Sequence, residues 1–180
     1  MKKKEKINNK NSFFKRFYPT YMYKRVEDIP LELIKKQNIE LIILDMDNTL
    51  IDIHKRYKKE LKDWIDLMKE HKVFLCILSN SPFKDKVKKI AGELGLVFEF
   101  NATKPLLKGF KKVLKYNEVP KDRILMVGDQ MFTDIWGGNR IGVKTVLVEP
   151  INSKESIFSK VKRPIENNIL KRYGKEGIEK

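Results

Sequence analysis

The sequence predicts an α/β fold of Rossmann-like type, a parallel sheet with helices on both faces, and two observations predict it. Short apolar, β-rich runs alternate with longer segments whose apolar residues recur at three and four positions, and right-handed crossovers turn that order into a parallel, doubly covered sheet. A chain of 180 residues with 41% hydrophobic content is also long enough to fill one core.

Residues 1–25 are read as a basic, aromatic arm and residues 26–180 as a single domain. The arm opens on "MKKKEKINNK" and interleaves aromatics with bases in "FFKRFYPTYMYKR". It holds nine Lys/Arg against one Glu, whereas residues 26–151 are nearly balanced at 22 against 19 and residues 152–180 are basic again at eight against four. The first strand is "ELIILDM" at 40–46, followed by a helical pattern over 56–71 that sets Leu61, Ile65 and Met68 on one stripe. "VFLCILS" at 73–79 is the second strand, and Ser81 with Pro82 reads as an N-cap and first helical residue opening a helix over 82–94. "LVFEFNA" at 96–102 and a helix over 106–117 follow, then "RILMVGD" at 123–129, a helix over 132–141, and "KTVLVE" at 144–149.

Cys76 is the lone cysteine and lies inside an apolar run, so neither a disulfide framework nor a soft-metal site is expected, which points to a reducing, cytoplasmic setting. No apolar run approaches the roughly 18 residues of a membrane span, and the basic start has no apolar segment behind it. The net charge of +15, concentrated at the ends, suits an anionic partner such as a lipid surface, nucleic acid or a ribosome. It suits equally a tail that only aids solubility.

In an open parallel sheet, ligands collect beyond the carboxyl ends of the strands. Here those ends carry Asp45, Asp47, Asn48 and Thr49; then Ser79 and Asn80; then Lys104 before Pro105; then Asp129, with Asp134 five residues on. If the four carboxylates converge, each like-charge pair about 4 Å apart costs on the order of 4 kcal/mol at an effective dielectric near 20, so a cation is required. Hard oxygen ligands select Mg²⁺. One carboxylate can then attack phosphorus and form an aspartyl phosphate, while a second, two residues along the strand and on the same side, moves the leaving-group proton. Ser79 would donate to the phosphoryl oxygens beside a helix N-terminus, and Lys104 would neutralise charge on the nucleophile. Each residue alone has an ordinary structural reading, but four compatible endings on four successive strands favour catalysis.

These residues resemble the haloacid dehalogenase (HAD) superfamily of phosphohydrolases. "DMDNTL" is similar to its D-x-D-x-T motif, "LSNS" to the second motif, "KP" to the third and "GDQMFTD" to the G-D-x-x-x-x-D fourth, while "ATKP" and "GDQMFTDIWGGNRIG" resemble the YqeG branch of subfamily IIIA over roughly residues 17–170. The resemblance implies Asp45 as nucleophile, Asp47 as general acid/base, and Ser79 and Lys104 as phosphate binders. It implies Mg²⁺ on Asp45, Asp129 and the Asp47 main-chain carbonyl, with Asp134 supporting. Asn48, Thr49, Asn80 and Arg140 are expected on the substrate side, although Gly137, Gly138 and Arg140 could instead shape a turn. Relatives of this branch include phosphatidylglycerophosphate phosphatases, so an anionic phospholipid at the inner face of the membrane is the expected substrate. The chain departs from the family at Ser81, where Asn is common, and at Ser159-Lys160 and Lys162-Arg163.

Spacing adds to this. Asp45 to Ser79 spans 34 positions and Ser79 to Lys104 spans 25, which leaves no room for a cap domain, and an open mouth suits a phosphate carried on something large. Against the reading of the arm as a lipid-binding element, Phe13, Phe14, Phe17 and Tyr18 could cover a sheet edge. A capless phosphatase for a soluble sugar phosphate, phosphoprotein or nucleic-acid end, and a basic RNA- or ribosome-binding module, are the alternatives. A two-component receiver needs its acceptor Asp where this chain has Asn101-Ala102, and a dinucleotide site needs a G-x-G-x-x-G that is missing here. His54 and His71 are read as surface residues, and nothing in the sequence sets an oligomeric state.

Overall fold

A computed structural model describes residues 13–152, 168, 169 and 171–174. The first twelve residues, and Ser159, Lys160, Lys162 and Arg163, lie outside the described residues.

Six parallel strands form one sheet: β1 (Tyr21–Tyr23), β2 (Leu41–Leu44), β3 (Phe74–Leu78), β4 (Val97–Glu99), β5 (Ile124–Gly128) and β6 (Lys144–Val148), in the order β1-β6-β5-β2-β3-β4. The helices packed on the sheet include α1 (Leu31–Lys36), α2 (Lys59–Glu70), α3 (Lys84–Leu94), α4 (Leu107–Tyr116) and α5 (Trp136–Ile141). Alternation along β2 sorts them onto two faces. Ile42 and Leu44 pack with Ile34, Ile65 and Ile90 of α1, α2 and α3, whereas Leu41 and Ile43 pack with Phe110 and Ile141 of α4 and α5. Central strands buried on both faces require continuous apolar runs, which β2 (LIIL) and β5 (ILMVG) supply.

The chain runs outward from β2 through β3 and β4, then returns to place β5 on the other side of β2. The crevice between β2 and β5 is therefore the point where strand order reverses, and it positions the site. From Asp45 to Lys104 the chain holds α2, β3, α3, β4 and their loops, with no inserted domain. The expected strands and helices are present with ends shifted by up to four residues, the largest shift being at α5, whose expected start is a π-helical turn over Met131–Ile135.

Part of the segment expected as an arm is inside the fold. Tyr21–Tyr23 pairs with Val146–Val148 as the edge strand, and Phe17 is buried with Met131, Ile135, Leu147 and Ile169. Thr20 and Thr145 exchange backbone-to-hydroxyl hydrogen bonds of 3.1 and 3.0 Å, and Asn139 Nδ2 donates to the carbonyls of Arg16 and Tyr18. Phe13 stays half exposed. His54 and His71 are both exposed.

Gly137 and Gly138 are explained by packing. A Cβ at Gly137 would stand 2.5 Å from the Phe110 ring, and one at Gly138 would stand 2.6 Å from Thr145 Cγ2. Both glycines let α5 lie close to its neighbours.

Candidate active site

Asp45 follows β2 directly, and its N–H still donates to Val127 of β5 at 2.9 Å, so the carboxylate is held where the two strands part. Carboxylate oxygens of Asp45, Asp129 and Asp134 lie within 4.8 Å of one another, Asp45 and Asp134 being buried and Asp129 partly so. Lys104 Nζ stands 2.5 Å from Asp45 Oδ1 and 2.7 Å from Asp134 Oδ1, and the lysine is itself buried. Thr49 Oγ1 is 3.2 Å from Asp45 Oδ2 and from Asp129 Oδ1. Its single proton serves one carboxylate at a time.

Local structure fixes each of these. Lys104 arrives on a loop whose backbone is clamped by one side chain: Asn80 Oδ1 accepts from Lys104 N–H at 2.7 Å, and Asn80 Nδ2 donates to the Lys104 carbonyl at 3.0 Å. Asn80, expected on the substrate side, thus spends its amide on the loop that carries the lysine. Asp134 sits in a π-helical turn, Met131–Ile135, that leads into α5, and Gln130 N–H donates to its Oδ2 at 3.1 Å. Gly128 makes room for it, since a Cβ there would lie 2.4 Å from the Asp134 carboxyl carbon. Ser79 Oγ accepts from Ser81 N–H at 3.0 Å, which leaves its hydroxyl proton available to a ligand oxygen.

Three of the four acids converge, and the fourth does not. Asp47 is half exposed and its Oδ1 is 2.5 Å from Lys86 Nζ of α3. The two-residue spacing does not align it with Asp45 because β2 ends at Leu44 and the chain turns at once, with Asn48 at φ 63°. Asn48 Oδ1 is buried without a hydrogen-bond partner among the described residues. Thr49, also expected on the substrate side, bridges acids instead. Arg140 lies outside the cluster, donating to the Pro105 carbonyl at 2.9 Å and stacked over Trp136. The helix N-terminus also moves: α3 starts at Lys84 with Phe83 as its cap, not at Pro82. The Ser81 carbonyl accepts from Asn101 N–H, so it is not free to open the helical ladder.

Lys86 is the residue that sequence reasoning missed. Its signal was positional, since a long cation in the first turn of a helix can reach back across the strand end that precedes it.

Burial pushes the Asp45 carboxyl up to about 6 and the Asp129 carboxyl up to about 8, with repulsion from neighbouring carboxylates adding to both and Lys104 opposing. Burial alone would lower the Lys104 ammonium, but the Asp134 and Asp45 carboxylates outweigh it and hold it above its ordinary value. Burial drives the Cys76 thiol up to about 12, too high to serve as a nucleophile near neutral pH. One lysine facing three carboxylates leaves a deficit of positive charge.

Comparison with known proteins agrees. The family model described as mitochondrial PGP phosphatase matches residues 6–152. A protein of Bacillus subtilis, probable phosphatase YqeG, is 34% identical over 89% of this chain and 94% of its own. Phosphatidylglycerophosphate phosphatase 1, chloroplastic/mitochondrial, of Arabidopsis thaliana is 30% identical over 89% of this chain and 49% of its own length. A solved structure of an uncharacterized protein from Listeria monocytogenes shares the fold at TM-score 0.52 and 20% identity, over 74% of this chain and 99% of that one. A chain with these relatives and this α/β fold belongs to the mitochondrial PGP phosphatase family, as a YqeG-type phosphomonoesterase.

Proposed function

We propose that this phosphatase removes the terminal phosphate of phosphatidylglycerophosphate to leave phosphatidylglycerol, working with Mg²⁺ at a membrane surface. The observation that carries the chemistry is a buried Asp45 carboxylate held by Lys104 beside Asp129 and Asp134. The lipid substrate is supported by the family match, by the name of the Arabidopsis relative, and by the uncapped edge on which the cluster opens.

Oxygen donors alone, crowded and short of positive charge, fit a hard divalent cation. Asp45, Asp129 and Asp134 would hold Mg²⁺, which supplies charge neutralisation to the phosphoryl oxygens.

Asp45 is the nucleophile: its carboxylate oxygen attacks phosphorus, the bond to the lipid oxygen breaks, and an aspartyl phosphate forms. Asp47 leaves its ion pair with Lys86, takes up a proton from solvent, and gives that proton to the departing lipid alkoxide. Water then attacks the same phosphorus, Asp47 takes its proton, and the bond to Asp45 breaks to release inorganic phosphate. Lys104 stays on Asp45 and stabilises the charge gathering on the transferring group, while the Ser79 hydroxyl donates to a phosphoryl oxygen.

Phosphate release from phosphatidylglycerophosphate in mixed micelles with Mg²⁺ tests the proposal, alongside soluble phosphomonoesters. Asp45→Asn is expected to lower release by more than about a thousandfold. Release from soluble substrates alone would keep the mechanism and overturn the lipid assignment, and full activity in Asp45→Asn would overturn the nucleophile.

A further inference from the structure

The described part of the segment that composition marks for membranes turns its central aromatic residues into the fold. Phe17 is buried against the π-helical turn and β6, and Phe14 and Tyr18 pack beside it. Large exposed apolar side chains do stand at the mouth of the site. Ile53 follows β2 and is 59% exposed, Phe83 follows β3 and is 70% exposed, and Leu106 follows β4 and is 59% exposed. Because the sheet is parallel, all three stand at its carboxyl edge with the acid cluster, Phe83 and Leu106 as the cap residues of α3 and α4. Apolar side chains on three separate loops are hard to account for by one local packing need.

The charge around them is equally directed. Asp45, Asp129 and Asp134 turn inward to one another, Asp47 is paired with Lys86 and Asp52 with Arg56. Lys55, Lys58, Lys84 and Lys108 on the same loops and first helical turns are exposed and form no ion pair among the described residues, with Glu60 and Asp85 the exposed acids among them. Beside Thr49 a cleft of about 250 Å³ opens, its apolar wall formed by Leu50, Tyr57 and Ile151 and its charged wall by Arg25, Arg56 and Lys58 with Glu27 and Asp52. The opposite edge also exposes Phe74 and Val97, but its loops mix Glu40, Glu118 and Asp122 with their bases. Among the described residues, the catalytic edge joins its exposed apolar loop tips to lysines that outnumber the exposed acids beside them.

We propose that the catalytic edge is itself the docking face for an anionic lipid bilayer, with Ile53, Phe83 and Leu106 entering the headgroup boundary and Lys55, Lys58, Lys84 and Lys108 meeting the lipid phosphates. Apolar insertion and cationic attraction act together in this mode, and neither substitutes for the other. This deepens the phosphatase reading above and rests on it: docking brings a lipid phosphomonoester to Asp45 without the lipid leaving its bilayer.

The test is co-sedimentation of the full chain with vesicles of phosphatidylcholine, with and without phosphatidylglycerol. The wild type is expected to pellet with the anionic vesicles only. The triple variant Ile53→Ser, Phe83→Ser, Leu106→Ser is expected to lose binding by about tenfold or more, while Phe74→Ser on the opposite edge pellets like the wild type. A Phe83→Trp variant gives a second reading, a blue-shifted rise in emission on adding anionic vesicles. The docking proposal is overturned by rim variants that pellet like the wild type, by equal binding to neutral vesicles, or by an emission from Phe83→Trp that the anionic vesicles leave unshifted. Phosphate release measured in parallel separates the two readings: a wild type that docks but releases no phosphate defeats the function alone, and one that hydrolyses micellar lipid without docking defeats the docking alone.

Discussion

A lysine ammonium with 1% of its side chain exposed needs anions around it, and Lys104 has Asp45 and Asp134. Removing it leaves three acids facing one another with no cation in contact among the described residues. Lys104→Met is expected to cost about 3–5 kcal/mol of stability, with part of the lost melting temperature regained in Mg²⁺; calorimetry with and without the ion checks this. A variant as stable as the wild type in chelator would mean that the acids are not coupled through Lys104. The raised carboxyls carry a pH signature as well. Asp129 titrates near 8 in the fold against about 4 in the unfolded chain, so the native state holds a proton that the unfolded state has lost. Stability without metal therefore falls as pH climbs through that window, and Asp45 adds to the fall up to about 6. A divalent cation replaces the proton, so the melting-temperature gain from Mg²⁺ should grow from pH 5 to pH 8. A gain that stays flat with pH would speak against these carboxylates as its ligands.

At the scale of elements, the strand after which a residue comes decides what it can do, and β5 shows this through a residue without a side chain. With Gly128→Ala, the new Cβ would meet Asp134 at 2.4 Å and push that carboxylate off Lys104. Phosphate release should fall sharply while far-ultraviolet circular dichroism stays native, and retained activity would remove Asp134 from the site. The convergence of Asp45, Asp129, Asp134 and Lys104 was legible in the sequence because apolar runs announce strands and parallel strands share one carboxyl edge, whereas the turn that sends Asp47 to Lys86 was not. Asn80 was less so, since an amide two residues before Pro82 gives no sign that it will clamp a loop 24 residues away. β1 and α1 went unread for a different reason. Tyr21–Tyr23 is only half buried and has no apolar run, and α1 is six residues long with Ile34 as its one buried residue. What makes both form is tertiary: β6 beside the first, and the packed face of β2 beneath the second.

The whole molecule carries its charge at its ends and its chemistry at one edge, and the two are joined by the segment around Phe17. That ring meets Phe132 and Trp136 at centroid distances of 5.2 and 5.4 Å, next to the π-helical turn that holds Asp134. Phe17→Ala is expected to cost about 3–5 kcal/mol and to lower activity along with stability, measured by denaturant melts and phosphate release on the same samples. A loss of stability with activity per folded molecule unchanged would separate the aromatic cluster from the site. The edge strand has a consequence in time as well. Thr20 and Thr145, which hydrogen-bond to each other, are 125 positions apart, so the first strand leaves the ribosome long before its partner exists. Until β6 is made, a half-apolar strand waits unpaired on the nascent chain, open to association with other chains. Asp45, Lys104, Asp129 and Asp134 all precede β6, so the outer edge of the sheet closes after the last residue of the acid cluster has been made.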